Sequence, residues 1–377
     1  MNFKTCLKKK TELLSKGVFL KPELMEYYKK EGISFGRKGG AGPLGGRYFL
    51  LEDNETLVNV ALWDSPKNTN LTLNKKEGGF FRVQNSKADK AFGKIKLVKN
   101  PDFYDPHYKT SEGIPMRKIA LVHGIDCLAT TVYQQCKYWA CGEACQFCGI
   151  ELSLKYDTTI VEKNADQVSE VITQAKKEGR CSHMTLTSGT YDTIDKGAEK
   201  YIELLRGLKE NHPDIPLHIQ IEPLEDLSYL DKLKDAGADT IGIHLETLNE
   251  KLREIITPGK AKIPRTLFTK NWKYSVDLFG KNQVESFILL GFEDPPRITV
   301  QKIEEVISLG VIPFLTPVRP IPGKKYRFTG INPGILIDLY LETAKLMKKY
   351  ELNPLKNKAG CVRCGGCSAI NEAYKAV

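Results

Sequence analysis

Residues 216–247 read PLHIQIEPLEDLSYLDKLKDAGADTIGIHLET. Two short apolar runs, at 216–223 and 240–247, flank a stretch whose apolar residues recur every three or four positions. That middle stretch ends at Gly237, and glycine is typical of helix C-termini. The segment therefore predicts a strand, an amphipathic helix and a second strand, which is the repeating unit of a parallel sheet.

The same unit repeats on both sides of this segment, from about residue 120. The six candidate strands are CLATTVYQ at 127–134, HMTLTSG at 183–189, PLHIQIEP at 216–223, TIGIHLET at 240–247, VESFILLGF at 284–292 and VIPFLTPVRP at 311–320. Amphipathic stretches lie between most of them. Six such units in series predict an α/β fold whose parallel sheet is open or curled into a partial barrel. Chemistry in such folds gathers at the carboxyl ends of the strands.

Length and composition argue against a membrane protein. The 377 residues are 41% hydrophobic and 27% charged, with a mean hydropathy of −0.33, as is typical of a globular chain. No run of about 18 apolar residues occurs and the first residues lack the apolar core of a signal peptide, so we expect a cytoplasmic location and no membrane partner. The net charge of +10 fits solvated helices or an acidic partner. Nucleic acid is not expected, because the basic and aromatic residues of the first 115 positions form no stacking platform.

Residues 1–115 differ in pattern from the repeats that follow. Turn residues separate short β-prone runs there, which predicts a small, mainly β extension. These runs are YFLL at 48–51, LVNVALW at 57–63, FFRV at 80–83 and KIKLV at 94–98. A Gly-rich segment, RKGGAGPLGGR at 37–47, could cradle an anion through backbone N–H groups or form a mobile loop. We divide the chain into this extension, the repeats at 116–335, and a last helix with a cysteine-rich tail at 336–377.

The cysteines are the residues that most clearly indicate a metal site. There are ten cysteines, and without a secretory signal a disulfide framework is not expected. Six of them form two triplets: the first triplet is Cys141, Cys145 and Cys148, and the second triplet is Cys361, Cys364 and Cys367. Three thiolates at the first triplet's spacings can hold one iron–sulfur cluster and leave one iron open, as a catalytic site requires. The alternative is a structural zinc site, with Cys136 or Cys127 as its fourth ligand.

The motif CGEACQFC at 141–148, followed by βα repeats, resembles the signature of the radical S-adenosylmethionine (SAM) superfamily. The resemblance implies a partial (β/α)6 barrel, a [4Fe-4S] cluster with an open iron, and SAM, which is cleaved reductively to a 5′-deoxyadenosyl radical. The residues that would contact these cofactors are Phe147 beside the cluster, Thr187, Ser188, Gly189 and Thr190 after the second strand, Glu222 and Glu246 at the next strand ends, and Gly291 near the adenine. The two carboxylates could instead cap the helices that follow them.

The second triplet belongs to the tail segment CVRCGGCS at 361–368. Its spacing again suits an iron–sulfur cluster, and the alternative is a zinc staple. The fourth ligand could come from Ser368, Cys127, Cys136 or a substrate. We expect an auxiliary [4Fe-4S] cluster at the barrel mouth, opposite the SAM cluster. Arg319, at the end of the sixth candidate strand, could bind a substrate carboxylate, contact this cluster or form a structural ion pair.

The segments GIDCLATTVYQQC, CQFCGIELSL, PVRPIPG and CVRCGGCSA resemble the biotin-synthase-related group, some members of which are archaeal two-component lipoyl synthases. That resemblance implies sulfur insertion into a protein-bound octanoyl chain, with the auxiliary cluster as sulfur donor and Ser368 as its departing ligand. The implied partners are an octanoylated lipoyl-carrier protein, a low-potential electron donor such as ferredoxin, and a partner radical SAM subunit. One alternative is a radical SAM enzyme on another small metabolite or peptide, whose auxiliary cluster relays electrons or binds substrate. The other is a scaffold that carries clusters without catalysis.

Overall fold

The computed structural model describes residues 2–35, 46–88, 90–292, 296–319, 321, 326 and 330–377. Residues 37–45 of the Gly-rich segment therefore lie outside the described part of the chain. The strands are β1 Val18–Leu20, β2 Gly46–Leu50, β3 Leu57–Trp63, β4 Leu71–Glu77, β5 Phe80–Asn85, β6 Lys90–Leu97, β7 Leu121–His123, β8 Cys127–Thr131, β9 His183–Thr187, β10 Leu217–Gln220, β11 Thr240–Gly242, β12 Val284–Leu290 and β13 Ile312–Pro317.

The α-helices range from single turns to a helix of 17 residues. They are α1 Phe3–Lys16, α2 Met25–Lys30, α3 Met116–Ile119, α4 Lys137–Ala140, α5 Leu152–Lys155, α6 Ala165–Lys177, α7 Ala198–Asn211, α8 Ser228–Asp235, α9 Glu250–Ile256, α10 Pro258–Ala261, α11 Arg265–Phe279, α12 Pro296–Ser308, α13 Pro333–Lys349, α14 Cys361–Cys364 and α15 Ile370–Ala376. No helix in the described part of the chain combines the length and the apolar character needed to cross a bilayer.

The N-terminal extension forms a closed six-stranded barrel in the order β1-β3-β2-β6-β5-β4. β1 closes it by pairing in parallel with both β3 and β4. Alternate side chains point inward, and Phe49, Val58 and Phe81 are fully buried there. The sequence pattern did not indicate β1 or β4, because β1 has only three residues and β4 ends in the charged run NKKE.

The second sheet is the half barrel that the βα repeats predict. Its strand order is β13-β12-β11-β10-β9-β8-β7, and β8 to β13 are parallel while β7 is antiparallel to β8. Within the described residues no pairing joins β7 to β13, so the curled sheet stays open. The α/β fold with a partial (β/α)6 barrel is therefore confirmed.

Local signals place the helices on the outer face of this sheet. α6 begins at a capping box in which the Asn164 side chain accepts from the N–H of Gln167, and the Gln167 side chain accepts from the N–H of Asn164. α11 buries Trp272, whose indole N–H donates to the carbonyl of Ile243 just after β11 (2.9 Å). The helices thus cover the apolar outer face of the sheet.

The C-terminal tail passes beneath the half barrel, at the edge where the parallel strands begin. Side chains from three strands hydrogen-bond to the backbone of residues 359–362: His183 of β9 (3.2 Å), Thr240 of β11 (3.3 Å) and Glu285 of β12 (3.2 Å). Each of these side chains occupies one of the first two positions of its strand. The tail therefore closes the amino edge of the half barrel.

Helix α1 holds this tail in place by packing against α13 and α15. Lys10 of α1 is only 1% exposed, and its ammonium donates to the carbonyl of Gly365 (2.9 Å) and pairs with Glu372 (2.8 Å). A buried charge is tolerated only when it is fully paired. The first helix and the cysteine-rich tail are thus parts of one packed unit.

Replacing Lys10 tests this contact. We expect Lys10→Ala to lower the free energy of unfolding by about 3 kcal/mol, because it removes one partner of a buried ion pair. Lys9 is the matched control, since it pairs with the more exposed Glu52. Lys9→Ala should cost less than about 1 kcal/mol in the same urea titration. Equal losses in the two variants would contradict the assignment.

Candidate active site

The first triplet lies in the loop after β8, at the edge where the parallel strands end. Cys141 follows α4 and is exposed, Cys148 is half-buried and Cys145 is buried. The N–H of Gln146 donates to the carbonyl of Ile256 (2.8 Å), which fixes this loop to the end of α9. The triplet is thus anchored to the barrel at the edge where chemistry is expected.

The donors of this loop suit an iron–sulfur cluster better than a single metal ion. Among the described residues, no three His, Cys, Asp or Glu side chains gather as ligands of one ion, as a zinc site requires. Thiolates of a four-iron cluster bind different irons and need no common centre. Cys127, a fourth ligand in the zinc alternative, instead contacts Cys364 at the other edge of the sheet. The three cysteines of the first triplet remain the residues that would hold the cluster.

Glu222 extends from the end of β10 into the space beside Cys145. Its buried carboxylate accepts hydrogen bonds from the hydroxyls of Tyr138 and Thr190, both at 3.1 Å. The helix that follows, α8, begins at Ser228, whose N–H donates to Asp226 rather than to Glu222. Glu222 therefore does not cap that helix, and its carboxylate faces the site.

Glu246 and Lys260 form a buried ion pair near the same cysteine. The two charged groups lie 2.6 Å apart, with the side chains 8% and 16% exposed. Burial raises the pKa of Glu246, and Lys260 opposes that effect. Burial alone would lower the pKa of Lys260, but Glu246 and Glu222 together raise it. The site therefore holds one ammonium between two carboxylates.

The backbone of Glu246 adopts a left-handed conformation with φ of 63°. This conformation costs on the order of 1 kcal/mol for a residue with a side chain. It is held by β12, since the N–H of Glu246 donates to Phe287 (3.0 Å) and its carbonyl accepts from Leu289 (2.8 Å). The candidate strand 240–247 was therefore too long: β11 ends at Gly242, and the chain turns to aim the carboxylate at Lys260.

The loop Thr187–Thr190 packs against the segment that leads to the first triplet. The N–H of Gly189 donates to the carbonyl of Tyr133 (2.8 Å), and the Ser188 hydroxyl donates to the carbonyl of Gly189 (2.8 Å). A side chain at Gly189 would place its Cβ only 1.7 Å from the carbonyl oxygen of Gln135. Glycine is therefore required for this close approach of two backbones.

Phe147 and Gly291 lie at the same edge of the half barrel. Phe147 is half-buried within the loop of the first triplet. Gly291 directly follows β12 at φ of 111°, where a Cβ would lie 3.1 Å from Val318. Glu293 and Asp294, from the same predicted adenine segment, lie outside the described residues. The cofactor roles of Phe147 and Gly291 stay predictions.

The second triplet extends from the beginnings of the strands, which bind residues 359–362, toward the end of β13, where the Thr316 hydroxyl donates to the carbonyl of Cys367 (2.8 Å). Gln220 donates to the sulfur of Cys361 (3.7 Å), and Asn59 of the N-terminal barrel donates to the sulfur of Cys367 (3.4 Å). We expected this triplet at the barrel mouth. The structure instead places it inside the molecule, between the two barrels, because the tail passes beneath the strands.

Arg319 and Ser368 lie beside the second triplet, but both side chains are engaged by protein. Arg319 donates to the side chain (3.2 Å) and the carbonyl of Asn59, and no acidic side chain in the described part of the chain pairs with it. The Ser368 hydroxyl accepts from the N–H of Ile370 (3.3 Å) and shares a hydrogen bond with Tyr340. A structural ion pair at Arg319 is therefore not seen, and the Ser368 side chain packs in the core.

Three polar side chains of the site had not been singled out from the sequence. The sequence segment IITPGK, at 255–260, predicts part of the cleft lining and contains Lys260, so a signal existed for that residue. Tyr138 and Gln220 carry no motif, because a tyrosine in a short helix or a glutamine in a strand is ordinary. Only the fold brings them to a cysteine or a carboxylate.

This chain is similar to known proteins over part of its length. The radical SAM superfamily model matches residues 140–268. A bacteriochlorophyllide c C-7(1)-hydroxylase from Chlorobaculum limnaeum is 27% identical over 263 residues, covering 64% of this chain and 65% of that protein. A 5-amino-6-(D-ribitylamino)uracil–L-tyrosine 4-hydroxyphenyl transferase from Methanosarcina mazei is 24% identical over 227 residues, covering 52% and 55%. The chain thus spans less than two thirds of the length of each of these relatives.

Solved structures with a similar fold have low sequence identity. Methylornithine synthase gives a TM-score of 0.48 at 16% identity, covering 67% of this chain and 70% of that one. Streptococcus suis SuiB gives 0.45 at 16% identity, covering 62% and 49%. At these scores the similarity carries no functional weight. The family match is more specific, because it begins at the first triplet and continues through three parallel strands to Lys260 and beyond, and over these residues this chain is similar to the radical SAM superfamily.

Proposed function

We propose that this chain is a radical SAM enzyme that acts on a small metabolite or peptide inside the half barrel, with an auxiliary cluster at the second triplet that relays electrons or binds substrate. The observation that carries the proposal is the placement of two cysteine triplets on one curled sheet, the first in the loop after β8 and the second held by Gln220 of β10 and Thr316 of β13. The inner face combines stacked aromatic side chains, Phe287 and Phe314, with polar ones such as His244, which is the composition typical of a small-molecule site. A low-potential electron donor such as ferredoxin remains an expected partner.

The interior offers an unused hydrogen-bond donor. His244 stacks on Phe287 with ring centroids 4.1 Å apart, and its Nδ1 accepts from the N–H of Phe287 (3.1 Å). Burial keeps the pKa of His244 well below its usual value, so the ring is neutral and its proton lies on Nε2. That nitrogen is buried and has no partner among the described atoms. A substrate with an acceptor oxygen or nitrogen would accept a hydrogen bond from this Nε2–H group.

Sulfur insertion into an octanoyl chain finds less support. That hypothesis used Ser368 as a departing cluster ligand, whereas its hydroxyl is bonded to Ile370 and Tyr340. The names of the two relatives above refer to a bacteriochlorophyllide and a ribitylaminouracil, which are small molecules. We therefore place the small-molecule alternative first. The octanoylated carrier protein and the partner subunit were implied only by sulfur insertion, so we do not propose them as partners.

The chain's own residues bind, orient and shield the reactants. A cluster at the first triplet supplies the electron for reductive cleavage of SAM. Lys260 places a positive charge near Cys145, which offsets the charge of a buried thiolate. Tyr138 and Thr190 fix both oxygens of Glu222, so this carboxylate is already oriented to accept from an ammonium group such as that of SAM.

Removing one cysteine of the first triplet tests the proposed activity. We expect anaerobically reconstituted, dithionite-reduced protein to form 5′-deoxyadenosine from SAM. Cys145→Ala should lower the rate by more than about 100-fold, because losing a ligand costs more than losing a residue that only supports one. Cys6→Ala is the matched control, since Cys6 donates to Asp53 far from the site and should leave the rate unchanged. An unchanged rate in Cys145→Ala would contradict the proposal.

The ion pair between Glu246 and Lys260 gives a pH-dependent prediction. Lys260→Met leaves a buried carboxylate without its partner, and we expect a loss of about 3 kcal/mol in the free energy of unfolding at pH 7.5. The folded state then binds a proton that the unfolded chain releases above a pKa of about 4.3, so stability falls as pH rises through this range. Urea titrations at pH 5 and pH 7.5 should show the smaller loss at pH 5.

Two further variants control for this experiment. Lys262→Met removes an exposed lysine that pairs with Glu143, and it should change stability by less than about 1 kcal/mol at either pH. Adding Glu246→Gln to Lys260→Met should remove the pH dependence, because the buried group no longer titrates. Equal losses at both pH values in Lys260→Met would contradict the assignment.

A further inference from the structure

Cys127 lies apart from both cysteine motifs in the sequence but contacts one of them in the fold. It is the first residue of β8 and is 1% exposed. Its thiol shares a hydrogen bond with the thiol of Cys364, and the Thr185 hydroxyl lies 3.4 Å from the same sulfur. The beginning of β8 therefore presents a fourth cysteine to the second triplet.

The four thiols form one group, in which Cys127 is buried and the other three are half-buried. Cys127 lies within electrostatic range of Cys361 as well as Cys364, and Cys361 lies within range of Cys364 and Cys367. The turn before β8 closes over them, since a Cβ on Gly124 would lie 3.1 Å from the sulfur of Cys364.

The other candidate fourth ligands are committed elsewhere. The Ser368 hydroxyl is bonded to Ile370 and Tyr340. Cys136 precedes α4 at the opposite edge of the sheet, beside the first triplet. Of the four candidates considered from the sequence, only Cys127 and a substrate remain.

The surroundings suit a charged cluster. Four thiolates outweigh the positive charge of an oxidised four-iron core, so a buried site needs cations nearby. Arg319 lies within electrostatic range of Cys367, and Lys10 within range of Cys364. Asn59 and Gln220 donate N–H groups to sulfurs of the triplet, and such donors tune cluster potentials.

We propose that Cys127 is the fourth ligand of the auxiliary cluster, so that Cys127, Cys361, Cys364 and Cys367 place a thiolate on every iron. Ligation releases the thiol protons to solvent and changes no oxidation state. This inference rests on the proposed function and narrows it. A fully ligated cluster has no open iron for substrate, so it serves electron relay.

The test uses the full chain with Cys141, Cys145 and Cys148 all replaced by Ala, so that only the tail site carries iron. After anaerobic reconstitution we expect about four irons per chain. We also expect an EPR signal of the reduced cluster that added cyanide leaves unchanged, because no iron is open. The chain with the second triplet replaced instead is the positive control, since the open iron of the first cluster should respond to cyanide.

In the same background, Cys127→Ala should either lower the iron content or make the EPR signal respond to cyanide. Cys181→Ala is the matched control, because Cys181 is a buried thiol that bonds the carbonyl of His183 (4.0 Å) and no other cysteine. It should change neither readout. These measurements report on the metal site and not on turnover.

Two results would overturn the inference. One is a cyanide-dependent EPR signal while Cys127 is present, a measurement that needs no substitution at Cys127 and so does not depend on the folding of that variant. The other is unchanged iron content together with an unchanged, cyanide-insensitive signal in Cys127→Ala. The proposed function fails separately, if the unsubstituted protein forms no 5′-deoxyadenosine from SAM.

Discussion

The hydrogen bonds between the tail backbone and the beginnings of the parallel strands determine the layout of this molecule. The backbone of residues 359–362 crosses the amino edge of the half barrel. It is held there by hydrogen bonds to the side chains of His183, Thr240 and Glu285. Because that edge is closed, the carboxyl edge is left for the first triplet. The same contacts bring the second triplet to the beginning of β8 and to the wall of the N-terminal barrel.

The two ends of the interior differ in how they balance charge. At the carboxyl edge, Lys260 lies between Glu246 and Glu222, so the cation is shared by carboxylates and a cysteine. Around the second triplet, Arg319 and Lys10 lie close to a group of cysteines. The neutral ring of His244 belongs to the inner face of the same sheet. The same face also carries Glu285, which is fully buried and lies 3.3 Å from His218.

Patterns local in sequence predicted the repeats and both triplets, because a βα unit and a CxxxCxxC motif are each complete within a few dozen residues. Contacts between distant segments were beyond such patterns. Lys10 and Gly365, or Cys127 and Cys364, meet only because the tail returns beneath the sheet. The left-handed turn at Glu246 was also hidden, since the run TIGIHLET has the composition of an unbroken strand.

The path of the tail also sets an order of assembly. Strands β8 to β13 precede residues 353–367 along the chain, so the half barrel is synthesised before the tail segment that closes its amino edge. Until this tail segment packs, the polar side chains of Glu285 and His183 at the amino edge lack their partners in the tail. Cys127 is accessible from the same edge. Once the tail segment has packed, Cys127 is buried. Insertion of the proposed cluster at Cys127 and completion of the fold would therefore be coupled events in the maturation of a single chain.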